Sequence, residues 1–160
     1  MRQFTPYLFL LLAASFLYSC KSAKLSDAEE KQRIGEYFEA AAIYRKVYTK
    51  TPPAKRDLRG YIAFRMAECN RLINNTPRAT SAYVNALRYK YPDSIVNLRL
   101  GQMYQTSGRY GEAVKYYNDY LLAEPGSVLA FNGVTGCEEA VKWKQSPTRY
   151  TVKRMDKFNS

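Results

Sequence analysis

Apolar and small residues recur at helical spacing between Ser94 and Ser127. The positions that set the pattern are Leu100, Gly101, Tyr104, Ala113, Tyr117 and Pro125. Gaps of three and four residues place side chains on one face of a helix, so the stretch predicts two helices. Ser107–Gly108 allows a tight turn between them, and the proline stops the second helix. The glycine and alanine let the two helices approach closely, while the larger side chains fill the space between them.

These spacings resemble those of the tetratricopeptide repeat, a helix–turn–helix unit of about 34 residues. The stretch departs from that pattern at Asn97, where tryptophan is expected, and at Tyr120, where a second alanine is expected. The resemblance implies an all-α solenoid of stacked helix pairs. Such repeats are binding scaffolds with varied partners, so the pattern alone does not identify a function.

The same pattern occurs once more, 34 residues earlier in the chain. The matching positions are Met66, Ala67, Ala79, Tyr83 and Ala86. Asn74–Pro77 supplies the turn, and Tyr91–Asp93 is expected to end the second helix. This internal period is the strongest evidence for a repeat architecture.

A third, N-terminal unit is recognisable from its second helix, predicted over 36–50 after a break at Gly35. Its pattern positions are Ala40, Tyr44, Val47 and Pro52. Its first helix, with Ser26 as the predicted N-cap, matches the repeat poorly, as a terminal capping repeat would. The alanines at 40 and 79 are 39 residues apart, so the junction after Pro52–Pro53 carries about five residues beyond the period.

The C-terminal part continues the register as one more first helix, Val128 to Trp143, but no second-helix pattern follows. Gln145–Pro147 breaks the chain, and Arg149–Met155 alternates polar and apolar residues like a strand. We therefore predict a repeat domain over 28–144, with about three repeats and a capping helix. A short extended tail or linker is predicted over 145–160.

The first 19 residues have the organisation of a secretory signal peptide. Arg2 precedes an apolar run from Tyr7 to Leu17, which is too short to span a bilayer as a mature helix. The run ends in Leu17–Cys20, which resembles a bacterial lipobox and implies a lipid attached to Cys20 after cleavage. An ordinary signal peptide with an incidental cysteine, or an uncleaved anchor, is the alternative.

Residues 20–27 are predicted to tether the repeats to the membrane. A lipid chain holds a protein at a bilayer because each buried methylene contributes about 0.8 kcal/mol. The residue after Cys20 is Lys21, which by itself assigns neither leaflet nor membrane.

The chain is strongly basic, with a formal net charge of +11. That charge suits nucleic acid, an anionic membrane or an acidic protein, but an exported protein rarely meets nucleic acid, so we expect no such partner. Basic residues cluster at 45–59 and at 142–157. These clusters either dock an acidic protein or anionic head groups, or only solubilise helix ends and the tail.

Catalytic constellations are not apparent in the sequence. The chain has no histidine, the commonest general base and transition-metal ligand. Glu29–Glu30 and Glu138–Glu139 are sequence neighbours, which face different directions on a helix. We predict no enzyme activity, no catalytic or metal-binding residues, no cofactor and no small-molecule substrate.

Cys69 and Cys137 occupy the same position in first helices two repeats apart. Adjacent helices pack about 8–10 Å apart, whereas a disulfide needs Cα atoms within about 7 Å. We predict two free, buried thiols rather than a periplasmic disulfide.

First helices line the concave face of a repeat array, and the register indicates which of their side chains are exposed there. These are Tyr61, Phe64, Glu68, Arg71, Leu98, Gln102, Gln105, Asn132 and Glu139. A mixture of aromatic and polar groups suits a peptide groove. The alternative is an ordinary solvated face, with Phe64 and Leu98 packed between helices. The lysine, asparagine and arginine of a two-carboxylate clamp are missing, which disfavours a C-terminal carboxylate as ligand.

The last helix and the tail contain a distinctive set of residues: Asn132–Val134, Cys137–Glu138, Ala140, Pro147–Val152 and Asn159–Ser160. In these residues the chain resembles the PorE-like lipoproteins of Bacteroidota. Those proteins join a tetratricopeptide domain to a β-propeller and an OmpA-like peptidoglycan-binding domain, and associate with type IX secretion. Neither further domain occurs in these 160 residues, so peptidoglycan binding is not implied. The chain is either a truncated member or a stand-alone repeat lipoprotein.

The resemblance and the lipobox imply an envelope lipoprotein, anchored in the outer membrane and facing the periplasm. Its repeats would bind envelope proteins as a scaffold, in a type IX secretion or OmpA-like assembly. An alternative is an outer-membrane assembly lipoprotein that engages a β-barrel insertase. A different class is an enzyme-associated or lipid-binding factor that uses the basic surface.

Overall fold

The computed structural model describes residues 23–146 and shows seven helices in that part of the chain. They are α1 Leu25–Arg33, α2 Tyr37–Lys50, α3 Arg56–Leu72, α4 Thr76–Arg88, α5 Ile95–Thr106, α6 Tyr110–Ala123 and α7 Val128–Gln145. No strand occurs within these residues, so the predicted all-α architecture is confirmed. The signal peptide, Cys20 and the strand-like tail lie outside the described residues.

Consecutive helices pack against each other throughout the described chain. α1 pairs with α2, α3 with α4, and α5 with α6, and each second helix also packs against the first helix of the next pair. α7 follows as a further first helix and contacts both α6 and α5. The helix pairs thus stack in one direction, as expected for a repeat solenoid.

The turn inside each helix pair has the same backbone geometry. Gly35, Asn74 and Gly108 stand at equivalent positions with φ angles of +85°, +57° and +71°. At each of these turns, two backbone N–H groups bond back to carbonyls of the last helical turn, which is the Schellman arrangement. The left-handed conformation is open to glycine and tolerated by asparagine, so these residues fix where each first helix ends.

A buried tyrosine occupies the centre of each repeat. Tyr44, Tyr83 and Tyr117 stand at the same position of α2, α4 and α6, and each is at most 2% exposed. Each hydroxyl nevertheless finds an acceptor on the first helix of its own pair. The acceptors are the Oε1 atoms of Gln32, Glu68 and Gln105. A buried phenol retains its place in an apolar core only when its hydroxyl is bonded, so the repeat core carries its own polar partners.

The junction after Pro52–Pro53 is about five residues longer than the repeat period allows. These residues extend α3 by one turn at its N-terminus. That turn carries Arg59, which donates through Nη1 to the carbonyls of Tyr48 and Thr51 at the end of α2. Its guanidinium also lies 4.0 Å from the ring centroid of Tyr48 and 4.9 Å from that of Tyr89. The insertion therefore joins the C-terminal ends of two successive repeats through one arginine.

The N-terminal boundary differs from the sequence prediction. α1 begins at Leu25 with Lys24 as the N-cap, so the predicted cap at Ser26 is wrong, and 25–27 are helical rather than tether. Leu25 packs against the apolar cluster around Ala28 and Tyr44, which explains why the helix begins before the serine.

The second helix of the middle repeat also ends earlier than predicted. α4 stops at Arg88, three residues before Tyr91, because Lys90 takes a positive φ of +56° and closes another Schellman turn.

The cysteine prediction is confirmed. Cys69 and Cys137 are free and buried, in separate apolar clusters. Burial raises the pKa of the Cys69 thiol to about 12 and also raises that of Cys137.

Candidate functional site

The candidate site is the face formed by the first helices α3, α5 and α7, which we term the inner face. The sequence predicted nine exposed side chains there, and the structure places eight of them at least partly in contact with solvent. The exception is Leu98, which is 4% exposed and packs against Ala113 and Ala130. Its predicted exposure is wrong because α7 packs over α5 and covers it.

Glu68 lies at the centre of the inner face and is surrounded by donors from three helices. Arg71 binds it with two hydrogen bonds, Nη2 to Oε2 at 2.7 Å and Nε to Oε1 at 3.3 Å. The hydroxyl of Tyr83, on α4, donates to the same carboxylate. Arg99, on α5, approaches with Nε 3.3 Å from Oε1, although the N–H is not aligned for a hydrogen bond. This cluster links two repeats through one carboxylate.

The electrostatics of the cluster favour an ionised Glu68. Burial alone would raise the pKa of this carboxyl, but hydrogen bonds from Arg71 and Tyr83 and the charges of Arg71 and Arg99 hold it below its usual value. Tyr83 responds in the opposite sense: burial and its bond to the carboxylate raise the pKa of the phenol. The cluster has two cations and one anion, so it carries net positive charge.

Two arginines belong to the site although sequence reasoning did not select them. Arg65 and Arg99 stand 34 residues apart at the same position of successive first helices. Both have a buried Nε without a hydrogen-bond partner among the described residues. Arg99 also donates through Nη1 to Gln102 at 3.0 Å. Arg99 lies beside Glu68, whereas Arg65 lies over the ring of Tyr61. Their repeat spacing is visible in the sequence, but these neighbours are known only from the structure.

Aromatic groups flank the cluster. Phe64 stacks on Tyr91 with ring centroids 4.5 Å apart and planes 12° from parallel, and it also contacts Tyr83. Tyr61 donates its hydroxyl to Glu29 of α1 at 2.8 Å. Burial, followed by that hydrogen bond, raises the pKa of Tyr61 to about 12. Phe64 is half-buried, which matches the alternative in which it packs between helices.

In the C-terminal half of the inner face, side chains form separate pairs rather than a cluster. Gln105 accepts the hydroxyl of Tyr117 at 2.6 Å, and Glu139 pairs with Lys142 at 2.6 Å. Asn132 is exposed. The inner face therefore has a cationic, aromatic centre and a neutral, solvated end.

No group of three metal-ligating side chains forms among residues 23–146. In that same part of the chain, none of the helices has the length and hydropathy needed to cross a bilayer.

Solved structures with the same helix arrangement identify the fold. The crystal structure of MamA matches with a TM-score of 0.65 at 16% identity, over 76% of this chain and 68% of that one. The Sgt2 TPR domain from Aspergillus fumigatus matches with a TM-score of 0.61 at 17% identity, over 84% and 88%. The chain has the tetratricopeptide-repeat fold.

A third solved structure with this fold also matches the chain. The C-terminal TPR-containing domain of a Plasmodium falciparum FK506-binding protein matches with a TM-score of 0.62 at 16% identity, over 77% of this chain and 89% of that one. None of the protein-family models matches the sequence, and none of the curated proteins matches it significantly. At these identities the likeness establishes the tetratricopeptide fold, and the function is inferred from the site.

Proposed function

We propose that this protein is a tetratricopeptide scaffold whose inner face binds a segment of a partner protein. The observation that carries the proposal is the cluster of Arg71, Arg99 and Glu68, in which charged groups of the consecutive first helices α3 and α5 meet at a partly exposed surface. The buried Tyr83 of α4 holds the carboxylate from below. The side chains of Arg71, Arg99 and Glu68 keep 24%, 25% and 15% of their surface open to solvent. Few rotamers remain to be ordered on binding, because hydrogen bonds already fix these groups.

We propose further that the scaffold is an envelope lipoprotein. The lipobox-like Leu17–Cys20 supports a lipid on Cys20, and the repeats begin at Leu25, a few residues along the chain. A short connection would hold the inner face close to the membrane surface, so its partner would be another envelope protein. The protein would be anchored in the outer membrane, facing the periplasm, and would have no catalytic role.

The resemblance of the C-terminal segments to PorE-like lipoproteins supports a place in a type IX secretion or OmpA-like assembly. Part of that resemblance, Asn132–Val134, lies on α7. Within it, Asn132 is exposed and Gly133 is buried against the previous repeat. A partner of the inner face would therefore reach this segment.

The test is affinity purification from detergent-solubilised envelopes of a host that carries a type IX system, with mass spectrometry of the co-purified proteins. Asn132→Trp places a bulky side chain on the exposed end of the inner face, and we expect it to reduce recovery of the partner about tenfold. Asn118→Trp makes the same change at an exposed position of α6 and should leave recovery unchanged.

The lipid is tested separately with Cys20→Ala. We expect this variant to lose incorporation of labelled fatty acid, to leave the membrane fraction and to recover less partner. Recovery of a β-barrel insertase in place of secretion or OmpA-like proteins would replace the proposed assembly with the outer-membrane assembly alternative. Equal recovery with Asn132→Trp and Asn118→Trp would contradict the inner face as the binding site.

A further inference from the structure

A second groove lies on the opposite side of the repeats, between the second helices α2 and α4. It has a volume of about 770 Å³ and is lined by one stripe of residues from each of α2, α3 and α4. Met66 and Asn70 of α3, with Ile73 just after that helix, form its floor. We term it the outer groove. None of the inner-face residues lines it, so it is a surface separate from the site described above.

Small side chains line the walls of the outer groove. Ala41 and Ala42 of α2 face it from one side, and Ser81 and Ala82 of α4 face it from the other. Residues of this size let the backbone of a bound element approach closely. Phe38, which is 65% exposed, also lines the groove and adds an apolar surface to it.

The charges lining the groove all have one sign. Four cations line it, Arg45, Lys46, Lys50 and Arg78, and none of the residues lining it is acidic. All four are exposed, and none forms an ion pair with a carboxylate of residues 23–146. They contrast with Arg71 and Arg99, which share the carboxylate of Glu68. The outer groove therefore combines a floor that is apolar apart from Asn70, whose amide bonds to the Met66 carbonyl, with uncompensated positive charge.

We propose that the outer groove binds an acidic amphipathic helix of a partner protein. The apolar face of such a helix would lie on Met66 and Ile73, and its acidic residues would flank that face and meet the four cations. A cylinder of about 10 Å diameter with the volume of the groove is about 10 Å long, which corresponds to about two helical turns. Helix-in-groove recognition uses this arrangement, with anchors at i, i+3 or i+4, and i+7.

The repeat insertion explains why the groove keeps its shape. Arg59, on the extra turn of α3, holds the C-terminal ends of α2 and α4 together through Tyr48 and Tyr89. Tyr48 is itself part of the groove lining. One end of the groove is thus fixed by Arg59 and two aromatic rings that meet edge to face, so binding would require little rearrangement.

The test uses two fluorescein-labelled, alanine-based helical peptides that share leucines at i, i+4 and i+7. One carries glutamates beside the leucines, and the other carries lysines at the same positions. Fluorescence anisotropy is measured with the full chain carrying Cys20→Ala in mild detergent. We expect the glutamate peptide to bind at least about tenfold more tightly than the lysine peptide. The affinity of the glutamate peptide should fall when NaCl is raised from about 0.05 to about 0.5 M, because salt screens its attraction to the four cations.

Two kinds of variant test whether the glutamate peptide binds in the outer groove. Lys46→Glu with Arg78→Glu reverses exposed charges, and Ser81→Trp fills the groove from an exposed position. Each should weaken binding of the glutamate peptide about tenfold or more, because it removes charge complementarity or space in the groove. Lys115→Glu, an exposed charge reversal on α6, is the matched control and should bind like the unaltered chain. Thermal unfolding of each variant verifies that it is folded.

The proposal is overturned if both peptides bind alike, or if the charge-reversed or Ser81→Trp protein binds as tightly as the Lys115→Glu control. Vesicles of phosphatidylcholine with and without phosphatidylglycerol test the lipid alternative. Binding to anionic vesicles that is lost with Ser81→Trp, together with no binding of the glutamate peptide, would make the groove a lipid site and overturn the proposal. The inner-face variant Asn132→Trp should leave peptide binding unchanged, which separates this result from the proposed scaffold function.

Discussion

Gly133 of α7 lies directly against the ring of Tyr117 of α6. A Cβ atom built on this glycine would come within 2.5 Å of Cζ of the tyrosine. Gly101 of α5 approaches the same ring with a corresponding distance of 2.6 Å to Cδ1. The buried tyrosine of the last complete repeat is therefore enclosed by glycines from two first helices. Its hydroxyl donates to Gln105, which fixes the ring in that position.

Gly133→Ala should destabilise the fold because the added methyl group overlaps a buried ring that is held by a hydrogen bond. Overpacking of this kind costs about 1–3 kcal/mol. The better helix propensity of alanine offsets up to about 1 kcal/mol of that cost, so we expect a net loss of about 1–2 kcal/mol by urea unfolding. Gly136→Ala, one turn further along α7, is the matched control. Its Cβ would meet only the Gln105 side chain, at 3.5 Å, so the better helix propensity of alanine should leave stability unchanged or raised. Equal effects of the two substitutions on stability would show that the Tyr117 ring does not limit the size of the side chain at position 133.

Glu68→Gln should also lower the stability of the repeats. The substitution removes the negative charge that pairs with Arg71 and Arg99, while the shape of the side chain is kept. Hydrogen bonds to charged groups contribute about 1.5–3 kcal/mol, so we expect a loss of about 2 kcal/mol in the free energy of unfolding. The control is Glu112→Gln, which removes an exposed pair with Arg109 and should change stability much less. Similar losses at both positions would contradict a special role of the inner-face cluster.

The contribution of Glu68 should depend on pH. Its folded-state pKa lies below the ordinary value of 4.5, so the carboxylate adds stability above about pH 4.5 and loses it as the pH falls through the folded-state pKa. The difference in unfolding free energy between the unaltered chain and Glu68→Gln should therefore be largest near neutral pH and narrow on acidification. Urea unfolding of both proteins from about pH 7 to about pH 3 measures it. A difference that stays constant or widens in acid would contradict this assignment.

The fold was predictable because its determinants are local and repeated. The 34-residue period and residues such as Gly35 and Asn74, at the turns, fix where helices begin and end. Burial of Leu98 was not predictable in this way, because it depends on α7 packing over α5. The pattern gives positions along each helix, whereas burial also depends on the angle and distance between helices that are far apart in sequence.

The candidate sites were predictable only in part. Glu68 and Arg71 were selected from register, but Arg99 was not, because its importance comes from a carboxylate on a different helix. The outer groove was not predicted either. The basic stretch 45–59 was noted, yet only the structure separates Arg45, at the groove, from Arg59, which is engaged with aromatic rings. A charge cluster in sequence can combine surface and structural roles.

The buried thiols should be unreactive in the folded protein. Cys69 has a pKa raised to about 12 by burial, so little thiolate forms at about pH 8, and the side chain is inaccessible. In a Cys20→Ser chain, which retains two cysteines, we expect no rapid reaction with Ellman's reagent in native buffer and two equivalents in denaturant. Rapid stoichiometric reaction in native buffer would mean that these helices open readily.

Lys90→Gly should stabilise the fold, although it removes a side chain. Lys90 adopts a φ of +56° in the turn after α4, where a non-glycine residue is strained by about 1–2 kcal/mol. Glycine relieves that strain but loses more backbone entropy on folding. We expect a net gain of about 0.5 kcal/mol in the free energy of unfolding, and a higher Tm by circular dichroism. Lys115→Gly, the same change inside α6, should instead cost about 1 kcal/mol. A loss of stability at both positions would mean that Lys90 makes a contact that outweighs the strain of its backbone.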